Sequence, residues 1–465
     1  MAHARTPDPR RRRRVAGVAL WAAALLTVLA TLALQFVVRP QLADDPRVGS
    51  GRLERPEVAE PPQPVLPMLA APTRQADAAV LSATIESLSR EGVGDVVGLV
   101  VDAASGAELY RTGSGARAPA SSLKVLTVLV ALDSLGPDRR FETATLLAPD
   151  GRLVLRGGGD PLLASVRQDA YPQAASLEEL ADATASALRQ RGTAAVSLGY
   201  DASLFSGPGW NPEWPPIFAR SVAPITALTV DHARLSLAPD AFERHPDPAL
   251  FAAERFAEQL RARGIEVRGT AASSTPAEAS EVARIDSLPV GVIAERTLAD
   301  SDNDAAETLL WHVALEQGRP ASPESGAAVF AERLQALGLW SEGMAVRDGA
   351  GIAVTNQVTP DALVGAVRRG FTEPRLRPVA TGLPVAGVSG TLFERFDRPD
   401  AVAGRGVVRA KTGTIRGVNT LTGYTVTADG QPLVFAFMVS GGAGQTSARA
   451  WLDRVAAAVA SCGCS

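Results

Sequence analysis

A buried helix that contains a lysine constrains this sequence more than any other stretch. Residues 123–132 read LKVLTVLVAL and are apolar nearly all round apart from Lys124, which is the pattern of a helix in a protein interior. A proline just ahead of the run and a Gly-Pro pair after it favour a helix start and a helix end. Ser121 lies three positions before Lys124, so both side chains share one helix face. The sequence therefore predicts a serine beside a lysine at a helix N-terminus, where free N–H groups and the helix dipole stabilise an oxyanion.

The chain keeps lysine in only two places. Of its 46 lysine and arginine residues, only Lys124 and Lys411 are lysines. An arginine stays protonated in a protein, whereas a desolvated lysine can lose its proton. Both lysines are therefore candidates for chemistry that an arginine cannot perform, such as general-base catalysis.

The second lysine opens the motif Lys411-Thr412-Gly413 in a predicted strand at residues 407–414. Stretches at 420–427 and 433–440 follow across short glycine-containing turns and predict antiparallel neighbours. A glycine inside a strand lets another group approach the backbone, and we interpret Gly413 as room for a substrate. The alternative interpretation is a lysine on a solvated strand end.

A third motif, Ser301-Asp302-Asn303, stands at the head of a predicted helix at residues 304–316. Alone, such a tripeptide predicts an ordinary helix cap. Its place in the chain between the other two motifs favours a chemical role for it.

Taken in order, Ser121-x-x-Lys124, Ser301-Asp302-Asn303 and Lys411-Thr412-Gly413 resemble the signature of penicillin-binding proteins and class A β-lactamases. From about residue 76 to the C-terminus, the sequence is similar to the penicillin-binding protein 4 family of D-alanyl-D-alanine carboxypeptidases and endopeptidases. The segments that carry this resemblance are PASSLKVLT at 119–127, GGDP at 158–161, SDNDAAE at 301–307, GVSGTL at 387–392 and KTGT at 411–414.

The resemblance implies an α+β fold of the β-lactamase or transpeptidase type, in which a helical cluster lies beside a five-stranded antiparallel sheet. In this family an insertion separates the first two motifs, and we expect the catalytic domain in residues 76–140 and 289–465. Residues 141–288 are then an inserted α+β domain, with predicted strands at 151–155, 194–198 and 265–267 and predicted helices at 177–191 and 249–263. The insertion is short for the family, and Ala350 stands in the loop at 348–351 where the family commonly has serine.

The resemblance also implies a mechanism on peptidoglycan stem peptides. Ser121 would attack the carbonyl of the penultimate D-alanine, with Lys124 as the base, and water would then release the acyl-enzyme. Lys124 would need a pKa lowered by burial beside a cationic Lys411. β-Lactam antibiotics would acylate the same serine as covalent inhibitors.

The remaining motif residues would bind and orient the substrate. Ser301 would relay the proton to the leaving amine, and Asn303 would hold the peptide backbone. Thr412 and Thr414 would bind the terminal carboxylate together with Lys411, beside Gly413, and the N–H groups of Ser121 and Thr414 would form the oxyanion hole. The resemblance implies no cofactor and no metal.

Two other functions remain open from the sequence. A β-lactamase of class A needs a glutamate four residues before an asparagine for deacylation, and no glutamate here has that spacing. A non-catalytic scaffold on the same fold is the second alternative, although both lysines and both motif serines are in place.

The N-terminal residues predict export and membrane anchoring. Residues 1–14 contain six arginines and one acid and predict a cytoplasmic basic tail, while residues 15–38 are an uncharged run of 24 residues, long enough to span a bilayer. Residues 39–75 are proline-rich and predict an extended linker. We expect the catalytic domain outside the cytoplasm on a single-pass anchor, and a cleaved signal peptide is the alternative.

Nucleic acid is not an expected partner. Without the first 14 residues, the chain carries 40 basic and 49 acidic residues. A body with an acidic excess lacks the electrostatic footprint of a nucleic-acid-binding protein.

Overall fold

A computed structural model describes residues 75–238, 241–442 and 444–462. The predicted basic tail at 1–14, the predicted membrane segment at 15–38 and all but the last residue of the predicted linker lie outside these ranges. Within the described ranges, no helix is long and apolar enough to cross a membrane.

The elements of the described residues alternate between strands and helices. The strands are β1 (Asp95–Asp102), β2 (Glu108–Thr112), β3 (Glu142–Leu147), β4 (Leu153–Arg156), β5 (Ala195–Asp201), β6 (Glu266–Ala272), β7 (Ser280–Asp286), β8 (Arg409–Ile415), β9 (Val418–Val426) and β10 (Pro432–Ser440). The helices are α1 (Ala78–Glu86), α2 (Leu123–Leu135), α3 (Leu177–Gln190), α4 (Pro248–Ala262), α5 (Val290–Ala299), α6 (Asn303–Glu316), α7 (Pro323–Ala336), α8 (Pro360–Thr372), α9 (Pro378–Thr381) and α10 (Gln445–Ala460).

The first sheet is antiparallel and has five strands in the order β2-β1-β10-β9-β8. Its strand β10 reads PLVFAFMVS and alternates between two cores, because successive side chains of a strand point to opposite faces. Leu433, Phe435, Phe437 and Val439 pack into one hydrophobic cluster with α10, and Val434, Ala436 and Met438 pack into another cluster with α2. The predicted five-stranded antiparallel sheet is present, with helices covering both faces.

The buried helix predicted at 123–132 is the central element of the helical cluster. In α2, every residue from Leu123 to Leu132 is buried, and α2 shares one hydrophobic core with α5, α6 and α8. Gly136 ends the helix with a φ of +79°, a conformation that glycine adopts readily. Ser121 lies just before this helix, in a 3-10 turn at Ala120–Ser122.

A second five-stranded sheet is built wholly from residues 142–286, in the order β6-β5-β4-β3-β7. β4, β5 and β6 run parallel, and β3 is antiparallel to both of its neighbours. Helices α3 and α4 connect the parallel strands and share a hydrophobic core with them, because parallel strands need crossover connections. The division into an inserted domain at 141–288 and a two-part catalytic domain stays a prediction.

Candidate active site

The turn that carries Ser121 is tied to the sheet beside it. Ala120, directly before the serine, has a φ of +47°, which is uncommon for a residue other than glycine and is typical of functional sites. The hydroxyl of Ser122 lies 2.8 Å from that of Thr420 on β9, and the Thr420 hydroxyl donates to the Pro119 carbonyl at 2.8 Å. These buried bonds fix the turn against the strands.

Gly413 on β8 makes this close packing possible. A Cβ atom at this position would lie 2.1 Å from the Thr420 hydroxyl and 2.6 Å from the Pro119 carbonyl oxygen. We expected Gly413 to leave room for a substrate, but the space is occupied by the turn that holds Ser121. The physical reason for the glycine is therefore the close approach of the Thr420 hydroxyl and of the Pro119 carbonyl.

Lys124 contacts three oxygen atoms from three parts of the chain. Its side chain is fully buried, and its Nζ lies 3.1 Å from Ser121 Oγ, 2.7 Å from Asn303 Oδ1 and 2.6 Å from the Ala350 carbonyl oxygen. The two carbonyl-type oxygens can only accept hydrogen bonds, whereas the serine hydroxyl can also donate. A neutral Lys124 amine that donates to both carbonyl oxygens therefore directs its lone pair at the Ser121 hydroxyl.

The protonation of Lys124 is balanced between burial and nearby carboxylates. Burial lowers the pKa of Lys124 to about 8, and it outweighs Asp348, Asp302, Glu307 and Asp304, whose charges raise this pKa. A base whose pKa lies near the working pH combines a usable neutral fraction with adequate basicity. The predicted lowering of the pKa of Lys124 by burial agrees with this balance.

Lys411 is also fully buried, and its Nζ donates to the Thr412 carbonyl oxygen at 2.9 Å. Burial, followed by the positive charge of Lys124, holds the pKa of Lys411 well below its usual value. Burial therefore opposes the cationic form of Lys411 that the resemblance implies. A substrate carboxylate would raise the pKa of Lys411, because an opposite charge favours the protonated form.

Asn303 connects Lys124 to the region between the first two motifs. Its Oδ1 accepts from Lys124, and its Nδ2 donates to the Ser221 carbonyl oxygen at 2.9 Å, so both ends of the amide have fixed roles. Asp302 caps α6 by accepting from the N–H of Ala305 at 3.0 Å. The capping role expected of the tripeptide and its place in the site are thus both present.

Ser301 adopts a φ of +58° and lines a cavity with Asn303. Among the described residues, its hydroxyl makes no hydrogen bond to Ser121, Lys124 or Lys411. The structure therefore brings Ser121, Lys124 and Asn303 into direct contact and leaves Ser301 facing the cavity.

Thr412 and Thr414 are partly exposed on β8. The Thr412 hydroxyl donates to that of Thr391 at 2.9 Å, and the Thr414 hydroxyl lies 3.4 Å from Asn419 Oδ1. Thr391 belongs to the segment at 387–392 that carries part of the family resemblance. Thr414 also lines one of the two cavities described next.

Two cavities flank the second and third motifs. The first, of about 530 Å³, includes Ser301 and Asn303, and the second, of about 1190 Å³, begins at Thr414 and includes Ile217 and Val354. The cavities share three lining residues, which are Arg220, Ser221 and Phe242. These three residues thus form a wall between the two cavities.

One cluster in the first cavity has ligand atoms at distances that suit a metal ion. These atoms of His232, Asp302 and Asp304 lie within 4.8 Å of one another. The guanidinium of Arg244 lies 3.3 Å from the Asp304 carboxylate and already provides a positive charge there. We therefore describe the cluster as an ion-pair network.

The sequence did not indicate that the Ala350 carbonyl oxygen accepts a hydrogen bond from Lys124. The methyl group of Ala350 is fully buried in a hydrophobic cluster with Ala306, Trp311 and Ile352, while its carbonyl oxygen contacts Lys124. A serine hydroxyl is therefore not needed for this contact. One signal was available: Glu307 is the charged residue in the stretch 305–311, which reads AAETLLW, and it lies one turn beyond Asn303.

Comparison with known proteins identifies the family to which this chain is similar. The family model for the D-Ala-D-Ala carboxypeptidase 3 (S13) family matches residues 81–244 and 238–461. The chain is 35% identical over 406 residues to a carboxypeptidase DacB of Mycolicibacterium smegmatis, covering 84% of this chain and 85% of that protein. A carboxypeptidase of Mycobacterium tuberculosis is 32% identical over 424 residues, covering 87% of this chain and 90% of that protein.

A solved structure shows the same fold. The crystal structure of penicillin binding protein 4 from Haemophilus influenzae matches with a TM-score of 0.65 and 20% identity, over 82% of this chain and 98% of that one. At this identity the likeness concerns the fold alone. The predicted α+β fold is confirmed.

Proposed function

The chain belongs to the D-Ala-D-Ala carboxypeptidase 3 (S13) family, and we propose that Ser121 and Lys124 carry out its serine-peptidase reaction on peptidoglycan stem peptides. The observation that carries this proposal is the contact between Ser121 Oγ and Lys124 Nζ at 3.1 Å. The other two contacts of Lys124 are to obligate acceptors, so its lone pair is free for the serine proton.

Acylation begins when Ser121 Oγ forms a bond to the carbonyl carbon of the penultimate D-alanine. The hydroxyl proton moves to Lys124 Nζ, and the carbonyl oxygen becomes an oxyanion. Collapse of this intermediate breaks the C–N bond, and the departing amine takes up a proton. Water then attacks the ester, which returns Ser121 to its starting state and releases the shortened peptide.

The other motif residues take supporting roles in this proposal. Ser301 lines the cavity where the leaving amine would sit and would pass a proton to it. Asn303 would hold the peptide backbone through an amide that is already oriented by Lys124 and Ser221. Lys411 would bind the terminal carboxylate with Thr412 and Thr414, next to Gly413.

The oxyanion requires donors that are already oriented when the negative charge develops. The backbone N–H groups of Ser121 and Thr414 are the donors that we propose. The turn of Ser121 is fixed to β9 through Thr420. Thr414 on β8 pairs with Asn419, which also lies on β9. The sheet would therefore hold both donors in a constant geometry.

Cross-linked peptides are included in the proposal. The cavity of about 1190 Å³ that includes Thr414 lies next to the one lined by Ser301, and the two together offer space for a leaving group larger than free D-alanine. Endopeptidase activity would use the same acyl-enzyme. β-Lactams would react with Ser121 as covalent inhibitors, because opening their ring amide is the same acyl transfer.

We also propose that residues 15–38 anchor the enzyme in the cell membrane with its catalytic part on the outer side. This proposal is supported by the uncharged run of 24 residues behind a cluster of arginines. Protease added to intact spheroplasts should digest the catalytic part, and full protection would contradict this orientation.

The reaction is tested with full-length protein and a synthetic peptide that ends in D-Ala-D-Ala. The wild type should release D-alanine stoichiometrically with the shortened peptide. Ser121→Ala should release none above the uncatalysed background, while its thermal melting stays near that of the wild type. D-alanine release by Ser121→Ala at the wild-type rate would rule out the assignment.

A further inference from the structure

Glu307 is a buried acid whose place in the reaction no motif explains. It lies on α6, and only 1% of it is exposed. Burying a carboxyl group without partners is costly, and the burial holds the pKa of Glu307 well above its usual value. One oxygen of Glu307, Oε1, accepts from two successive backbone N–H groups, those of Gly349 at 2.6 Å and Ala350 at 2.7 Å.

The peptide groups on both sides of Ala350 are held at each end. In the Gly349–Ala350 peptide, Glu307 accepts from the N–H, and the Thr127 hydroxyl donates to the carbonyl oxygen at 2.6 Å. In the next peptide, Asp348 Oδ1 accepts from the Gly351 N–H at 2.8 Å, while the Ala350 carbonyl oxygen accepts from Lys124. Because peptide groups are planar, holding both planes fixes the direction of the Ala350 carbonyl.

The loop at residues 348–351 also packs closely against helix α6 and against the turn that carries Ser121. A Cβ atom on Gly349 would lie 3.0 Å from the Ala306 carbonyl oxygen, and one on Gly351 would lie 2.0 Å from the Ala120 carbonyl oxygen. Gly351 has a φ of +77°, which disfavours any other residue. The loop therefore touches both α6 and the turn of the catalytic serine.

We propose that Glu307 is a positioning residue that aims the base. By holding the N–H groups of Gly349 and Ala350, it fixes the peptide plane before the Ala350 carbonyl, and Asp348 holds the N–H of the next plane, so that together they direct the Ala350 carbonyl at Lys124. The carbonyl takes one N–H of the neutral amine and Asn303 takes the other, which leaves the lone pair facing Ser121. If the Ala350 carbonyl turns away, an N–H of Lys124 can rotate toward Ser121 instead, and the base is misdirected.

This inference rests on the proposed function of Ser121 and Lys124. It differs from a purely electrostatic role of Glu307, because the rate should depend mainly on the position of one oxygen, while the charge of Glu307 acts only through the pKa of Lys124. Glu307→Gln can keep an oxygen at the place of Oε1 and loses the charge. Glu307→Asp keeps the carboxyl group but withdraws it by one methylene.

The test measures acylation of full-length protein by benzylpenicillin under single-turnover conditions, with the binding constant and the acylation rate constant determined separately. We expect E307Q to acylate within about threefold of wild type and E307D to lose up to about a hundredfold, the scale of a 1 Å misplacement. The loss should lie in the rate constant and leave the binding constant unchanged. Thr145→Val, which removes a buried hydroxyl contact of 2.9 Å between β3 of the second sheet and Thr184 on α3, is the matched control and should acylate normally.

Each outcome separates the inference from the function on which it rests. A wild type that forms no adduct would remove the proposed function itself. If the wild type acylates and E307D matches it, the positioning role is wrong. A hundredfold loss in a folded E307Q would overturn it as well, and this variant decides the question even if E307D fails to fold.

Discussion

Lys124 and Lys411 are buried to the same extent, and their surroundings differ sharply. Lys124 contacts three oxygens, and four nearby carboxylates partly offset the effect of burial, so its pKa stands at about 8. Lys411 donates to one backbone carbonyl, and both burial and the positive charge of Lys124 lower its pKa. Burial alone therefore does not assign a role to a lysine. Its neighbours decide whether it works as a base near neutral pH or as a site that awaits a negatively charged ligand.

Replacing each lysine by arginine should reveal the largest difference between the two sites. Lys124→Arg should slow acylation by benzylpenicillin about a thousandfold, because an arginine cannot act as the base and general-base catalysis contributes on this scale. Lys411→Arg keeps a positive charge for the ligand carboxylate and should lose about tenfold, mainly in binding. Equal losses in the rate constant of two folded variants would contradict the division of roles.

The pH dependence of acylation should report Lys124. The group whose pKa is lowered to about 8 must be neutral to accept the serine proton, so acylation should rise with pH and level off above about 8. Below that value the rate constant should fall about tenfold per pH unit. The measurement is the acylation rate constant between pH 6 and 10, and a flat profile over this interval would show that Lys124 is not the base.

Removing one of the four carboxylates should shift this profile by a smaller amount. Asp302→Asn keeps a good helix cap and removes a charge that raises the pKa of Lys124. The midpoint of the profile should therefore move to lower pH, by a fraction of a unit. Asp361→Asn, which removes an exposed carboxylate paired with Arg111, is the control and should leave the midpoint unchanged. A shift to higher pH in Asp302→Asn would contradict the electrostatic account.

Sequence motifs were sufficient to predict the side chains that meet around Lys124. Ser121 and Lys124 are three residues apart on one turn, so their contact is local. Asn303 could be placed only through the family resemblance, because it lies 179 positions away from Lys124. The strands β8 to β10 were predicted near their observed positions because β-rich stretches and glycine turns mark them.

The contacts that the sequence left hidden are made by backbone atoms. The Ala350 carbonyl, which contacts Lys124, lies 226 positions after it in the chain. The Ser221 carbonyl, which contacts Asn303, lies 82 positions before it. Their side chains carry no mark of this role, since any residue provides a carbonyl. Similarly, the partner that explains Gly413 is the Thr420 hydroxyl on the neighbouring strand, and a strand pairing is needed to see it.

Two strands of the second sheet were not predicted. β7 reads SEVARID and buries only one residue, while β3 reads ETATLL and buries four successive residues. Neither shows the clean alternation that predicts a half-buried strand. The helices α3 and α4 of the same region are amphipathic and capped, and they were predicted to within two residues.

The most direct test of the account is the intact mass of full-length protein mixed with benzylpenicillin and followed for an hour, with the labelled peptide mapped. We predict a single persistent adduct, one penicilloyl group, on Ser121. An adduct on another residue would contradict the assignment of the nucleophile. Absence of an adduct with hydrolysed drug would indicate a β-lactamase, and absence with intact drug would indicate a non-catalytic scaffold.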